Sequence, residues 1–243
     1  RLMTRTFKVL SALLSYPTQD LLDAAAFLAD VLRAEKLLTR KQIGQLDPLL
    51  EEFASGDLYD LQERYVLLFD RTRSLSLHMF EHVHGESRDR GQAMVDLKSL
   101  YERAGLAVAA NELPDYLPLF LEFLSTRPLE EALEFVGQPA HILAALAERL
   151  RKRQSAYEAV FRTLVALSAA KPKDEEVSAL LRLPDPDATD LAALDAAWED
   201  EPVNFGPDAG NGCKDNLIEK IRAGRRPAPG VVQPKSRPVM PRS

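Results

Sequence analysis

Apolar residues along this chain recur at intervals of three and four. Leu21, Ala25, Leu28 and Leu32 form one stripe, and Leu58, Leu61, Tyr65, Leu68 and Phe69 a second. Met94, Leu97, Tyr101 and Ala104 form a third, and Tyr157, Val160, Phe161, Leu164 and Leu167 a fourth. Such spacing gathers side chains on one face of an α-helix, which completes a turn in about 3.6 residues. Alternation of period two is nearly missing, the best candidate being Val231-Val232, so strands are not expected. Residues that terminate helices fall where the stripes begin and end. Thr18, Asp57 and Ser87 stand at N-cap positions, and Thr39 with Gln42 has the spacing of a capping box. Gly105 stands where a helix ends in a left-handed residue, and Pro17, Pro114, Pro128 and Pro139 fall at boundaries or first turns. The pattern predicts an all-α fold, a single bundle of about seven to nine helices between residues 4 and 170, with no solenoid repeat.

Beyond residue 170 the pattern changes. Ten of the 16 prolines lie there, and residues 174–201 carry ten acids and one arginine. Residues 171–205 are expected to form an acidic extension with one short helix, Leu191, Leu194 and Trp198 sharing its face. Residues 206–243 are rich in Gly and Pro and basic at their end, and are expected to be a mostly disordered C-terminal tail.

Charge sharpens this division. Residues 1–219 hold 24 Lys and Arg against 37 Asp and Glu, a net of −13, whereas residues 220–243 hold seven basic residues and no acid. An acidic body repels phosphates, which argues against nucleic acid as a partner and suits a basic one. Acidity that merely keeps the protein soluble is the simpler alternative. Cys213 is the one cysteine, so no intrachain disulfide and no Cys-based zinc pattern is available. No apolar run approaches the ~18 residues of a membrane span. The N-terminal stretch reads as an amphipathic helix rather than a signal peptide, and the expected location is the cytoplasm.

Two segments hold the candidate chemistry. Residues 76–90 contain His78, His82 and His84, with Glu86, Arg88 and Arg90. On a helix His78 and His82 would lie one turn apart, a spacing that can chelate zinc. Glu81, however, sits beside the second histidine rather than the first, so the general base of a zinc peptidase is misplaced. Histidines that hydrogen-bond locally or line a groove are the alternative, and no metal is expected. In residues 112–124, Glu112, Asp115 and Glu122 accompany a run that is apolar nearly all round, as in a helix buried at the centre of a bundle. Asp115 and Glu122, seven apart, would share a face and attract arginines, while Asp115 as a plain first-turn cap is an equal alternative. No nucleophile or ligand set lies near, so no catalytic residue is assigned. The glycine-rich stretch at residues 206–214 lacks P-loop spacing, and Asp185-Pro-Asp187 lacks the later residues of a calcium loop.

These segments resemble a known family. Tyr65-Val-Leu-Leu-Phe-Asp-Arg71, Ser76-Leu-His78, the string from Phe80 through His82-Val-His-Gly-Glu-Ser-Arg-Asp-Arg90 to Leu97, and Glu112-Leu-Pro-Asp-Tyr-Leu-Pro118 are similar to the respiratory nitrate reductase assembly chaperones of the NarJ type. That branch belongs to the TorD/DmsD-like redox-enzyme maturation chaperones. The similarity spans about residues 4–205, and Tyr116 stands where the TorD and DmsD branches have a histidine. The resemblance implies an all-helical, TorD-like cytoplasmic chaperone without cofactor or enzymatic activity of its own. It implies binding of the N-terminal segment of the apo nitrate reductase α subunit until molybdenum cofactor is inserted, with no membrane insertion of the chaperone itself. On that reading Asp115 and Glu122 attract basic residues of the client, and Tyr65, Tyr116 and Phe120 offer an apolar groove. Plain core packing is the alternative for each aromatic. Two other readings stand beside it: a metal-dependent hydrolase built on His78, His82, His84 and Glu86, and a helical scaffold without a specific client.

Overall fold

The computed structural model describes residues 4–83, 88–109, 112–187 and 189, and of residues 88 and 89 the backbone alone. Ser87, the helix expected through Leu191 and Trp198, and the basic tail lie outside these residues. Ten helices are present among the described residues: α1 (Arg5–Leu13), α2 (Gln19–Glu35), α3 (Arg40–Ser55), α4 (Leu58–Tyr65), α5 (Arg88–Arg103), α6 (Leu117–Ser125), α7 (Leu129–Gly137), α8 (Ala140–Lys152), α9 (Glu158–Leu167) and α10 (Asp174–Leu181). Nine of them fall between residues 4 and 170, the upper end of the expected number. The acidic extension does contain a helix, but α10 stands earlier than the one expected there.

Local chemistry accounts for the boundaries. Thr18 accepts from the Leu21 N–H, and Thr39 and Gln42 form the full capping box. Asp57 accepts from the N–H groups of Tyr59 and Asp60. Gly105, at φ +82°, lets the chain reverse after α5, and the Leu106 N–H returns to the Tyr101 carbonyl at 3.0 Å. Helix α1 is capped from a distance: the Glu35 carboxylate, at the end of α2, accepts from the backbone N–H groups of Arg5 and Thr6 at 2.8 and 2.5 Å. An acid placed at a helix N-terminus also meets its dipole favourably.

Helix α6 is buried along most of its length. Phe120, Leu121, Phe123 and Leu124 are all fully buried, as its all-round apolarity predicts. Helix α1 packs antiparallel on it: the Thr4 N–H reaches the Ser125 carbonyl at 3.0 Å, and Ser11 Oγ donates to the Pro118 carbonyl at 2.7 Å. Helices α2 and α3 pair, as do α8 and α9, and α10 rests on α8. One continuous core joins them through Phe7, Leu10, Leu46, Phe53, Leu143 and Phe161.

A polar strut crosses this core. Arg149 on α8 is 2% exposed. Its guanidinium donates to the Ser74 carbonyl at 2.6 Å and to the Leu180 carbonyl at 2.8 Å. Arg153, one turn on, holds Asp185 through two bonds of 2.9 and 2.6 Å. Together they fasten α10 and the chain after it. Burial pushes the Arg149 pKa down, but not far enough to cost a guanidinium its charge at neutral pH. Arg149→Met keeps the apolar stem and orphans those carbonyls, at roughly 1–3 kcal/mol for buried unsatisfied groups. We expect amide hydrogen exchange to quicken in α10 first; unchanged protection there would show that the strut holds nothing.

Candidate functional site

The second stripe is helical only in part. After Tyr65 the backbone widens into a single π-turn over Val66–Asp70, closed by the Arg71 N–H on the Val66 carbonyl at 3.1 Å. The wider turn rotates Phe69 and Asp70 away from where a 3.6-residue helix would carry them, and such turns recur at functional sites. A tight 3-10 turn follows at Met79–His82, so His78 and His82 do not share an α-helical face as their spacing suggests.

The two segments singled out in the sequence meet side by side. His78 pairs antiparallel with Tyr116, the Leu117 N–H donating to the Leu77 carbonyl at 2.8 Å and the Met79 N–H to the Asp115 carbonyl at 3.1 Å. The Asp115 side chain closes the joint from within. It is fully buried, accepting from the Phe80 N–H at 3.0 Å and from the His78 Nδ1–H at 3.3 Å. It therefore neither caps α6 nor shares a face with Glu122. The N-cap of α6 is Tyr116, Pro118 occupies its first turn, and Pro114 lies in the preceding turn, its carbonyl taking a bond from the buried Tyr101 hydroxyl at 2.8 Å.

Above this joint opens a cavity of about 230 Å³. Its walls are the rings of Tyr16, Tyr65, Phe69 and Tyr116, with Leu77, His78 and Asp70 completing the lining. Tyr16 also borders a second hollow of about 210 Å³, lined by Gln62, Glu63, Val66, Leu67 and Arg71. Tyr16, 45% exposed, is the wall the two hollows share. Behind it the Tyr65 hydroxyl donates to the Leu14 carbonyl at 2.9 Å and lies 2.9 Å from the Tyr116 hydroxyl. A phenol has one proton, and Leu14 can only accept, so Tyr116 is the donor of that second bond.

Three candidate residues, Tyr65, His78 and Tyr116, thus share one cavity. Glu112 is exposed nearby, and its charge helps burial raise the Tyr116 phenol pKa. Phe120 is fully buried in the core. Glu122 lies on the outer face of α6, paired with Lys8 of α1. The His82 ring turns inward, its Nε2–H donating to the Ser76 carbonyl at 2.8 Å, and burial lowers its pKa. His84 and Glu86 lie outside the described residues, as does the Arg88 side chain. Among the described residues no three His, Cys, Asp or Glu side chains gather as a metal-ligand set, and nothing supports the hydrolase reading. Tyr16 and Asp70 were not among the candidates. Asp70 lies within the Tyr65–Arg71 string, and nothing in the sequence marks Tyr16.

The His78–Asp115 contact carries a pH dependence. The hydrogen bond that His78 donates to Asp115, helped by the charges of Asp115 and Glu81, raises the His78 pKa against burial and the opposing charge of Arg90. A raised folded-state pKa means that the folded protein holds the proton more tightly. The stability this adds is full below the unfolded value of about 6.5 and disappears as pH rises through the folded value. We expect the gap in urea midpoint between the protein and His78→Gln to be widest near pH 6 and to narrow towards about pH 8. A gap that widens with pH would contradict the assigned pair.

The groove lies in a chain with clear relatives. Residues 33–163 match the family model for the nitrate reductase delta subunit. The chain is 41% identical over 227 residues to the nitrate reductase molybdenum cofactor assembly chaperone NarJ of Escherichia coli strain K12, covering 93% of this chain and 94% of that protein. It is 40% identical over 215 residues to the probable chaperone NarW of the same strain, covering 88% and 90%. With the probable NarJ of Bacillus subtilis strain 168 it shares 34% identity over 164 residues, 66% of this chain and 86% of that one. With that agreement over nearly the full length of two relatives, the chain belongs to the nitrate reductase delta subunit family, as a molybdenum cofactor assembly chaperone of the NarJ type.

Proposed function

We propose that this protein is a non-catalytic, cytoplasmic chaperone that binds the N-terminal segment of the apo nitrate reductase α subunit. It holds the subunit competent for molybdenum cofactor insertion and assembly. The observation that carries the reading is the aromatic-walled cavity beside Tyr16, built where the two family-like segments pair, with a second hollow sharing that tyrosine. A groove with apolar walls and a few polar groups suits an amphipathic helix laid along it. The net charge of −13 over residues 1–219 favours a basic segment. Glu112, exposed and close enough for its charge to act on Tyr116, adds to that attraction. Buried Asp115 and Phe120 serve from beneath, as supports of the wall. No helix among the described residues is long and apolar enough to cross a membrane.

Calorimetric titration with a peptide copying the α-subunit N-terminus tests the reading. One-to-one binding is expected, weakening as salt rises because exposed charges are screened over ~8 Å at physiological ionic strength. A saturating peptide that gives neither heat nor a shift in melting temperature would overturn it.

A further inference from the structure

The cavity beside Tyr16 has a chemistry more specific than an apolar groove. We infer that it is a cage for one guanidinium side chain, and that the bound segment is read through an arginine placed there. This rests on the proposed function for the source of the arginine, but not for the chemistry of the cage.

The rings form a box. Tyr16 meets Tyr65 edge-on at 5.5 Å and 87°, and Phe69 meets Tyr65 at 5.0 Å and 60°. On the other side the His78 and Tyr116 rings lie 5.4 Å apart, tilted by 35°. Aromatic faces are electron-rich and attract cations, an arginine more often than a lysine. Volume permits it: about 230 Å³ is far more than a single water needs, at about 30 Å³ in the liquid.

The polar groups of the lining point to the sign of the ligand. The proton of Tyr65 is committed to the Leu14 carbonyl, and that of Tyr116 to Tyr65. The Nδ1–H of His78 is committed to Asp115. What remains towards the cavity is the Tyr16 hydroxyl and the His78 Nε2, the lone pairs of the Tyr116 oxygen, and the Asp70 carboxylate; the charge of a protonated His78 is offset by Asp115 behind it, so Asp70 sets the sign of the lining. Asp70 forms no hydrogen bond or ion pair with any described residue. A carboxylate or phosphate would meet the Asp70 charge, and an aliphatic side chain would cover Asp70 without pairing it. A guanidinium has five N–H donors and no acceptor, and its flat faces stack on rings. Partial burial already raises the Asp70 pKa, a cost that an incoming cation relieves.

The test uses N-acetyl-arginine amide and its citrulline counterpart, which has nearly the same shape without the charge. NMR titration of the full chain should give saturable shifts of the Tyr16, Tyr65 and Tyr116 rings with the arginine probe. Citrulline should bind at least about tenfold more weakly, the scale of one charge-assisted bond. Asp70→Asn, at an exposed position that bonds no described group, should keep the fold and lose this preference. Equal responses to both probes, or no saturable shift with arginine, would overturn the cage. In the α-subunit peptide, one arginine-to-citrulline change should cost about tenfold against the native chaperone and little against Asp70→Asn. Additive losses would also overturn it. A peptide that fails to bind while arginine amide still fills the cage would sink the proposed client instead, and leave the cage standing.

Discussion

Replacing Asp115 by alanine will cost this protein about 2 kcal/mol of folding stability, the middle of the range for leaving a buried donor without its acceptor. Its carboxylate is fully buried, and two donors converge on it, the Phe80 N–H at 3.0 Å and the His78 ring at 3.3 Å. Alanine leaves the Phe80 N–H orphaned in the core, where an unsatisfied group costs about 1–3 kcal/mol. It also leaves the 77–80 segment tied to the turn before α6 by its two backbone bonds alone, which loosens the floor of the groove. Asp115→Asn retains an acceptor oxygen for Phe80 and should lose less. Urea denaturation checks this: the midpoint should fall with an unchanged slope, since the area exposed on unfolding hardly changes. Against a total of about 5–15 kcal/mol for a domain, such a loss is large enough to depress maturation in cells through abundance alone. An alanine variant that melts with the parent would refute the joint.

Tyr16→Ala will have the opposite profile, a small change in stability and a large one in client binding. Tyr16 is 45% exposed, so the fold owes it little, yet it borders both hollows. Central aromatic anchors commonly contribute about 2 kcal/mol or more, which corresponds to about a 30-fold loss of affinity for the α-subunit peptide. Tyr16→Phe should bind nearly as well, because the Tyr16 hydroxyl makes no hydrogen bond among the described residues. Tyr59, 77% exposed and outside both hollows, provides the control: Tyr59→Ala should leave affinity unchanged. Equal affinities for the Tyr16→Ala and Tyr59→Ala variants would move the client to another surface.

Both predictions depend on features that period-counting does not see. The Tyr65–Phe69 stripe reads as plain helix because Leu61, Tyr65 and Phe69 keep a near-helical spacing and are indeed buried. The π-turn carries both Phe69, buried against Tyr65, and the exposed Asp70 to the edge of one cavity. Asp115 reads as a cap because it stands just before an apolar helix after a proline. Its carboxylate instead serves backbone 35 residues away, and no local pattern encodes a bond of that range. Arg149 gave no signal either, being an ordinary basic residue in the last turn of α8 until Ser74 and Leu180 are brought to it.

What the sequence determined by itself was the local part of the problem. Helix-period apolar stripes, Thr and Asp caps and a left-handed glycine dictate helices because each acts within a turn or two of its own position. The strings around His78 and Asp115 likewise identified the family. What the tertiary structure decided was the sharing of those strings between wall and support. His78 and Tyr116 face a cavity, Asp115 is sealed beneath them, and Glu122 is turned out to Lys8. Tyr16, with no motif around it, became the wall shared by both hollows. The reason is physical: burial and hydrogen-bond partnership are properties of packed surfaces, set by segments distant in sequence, whereas helical periodicity is set by the nearest turns of the chain.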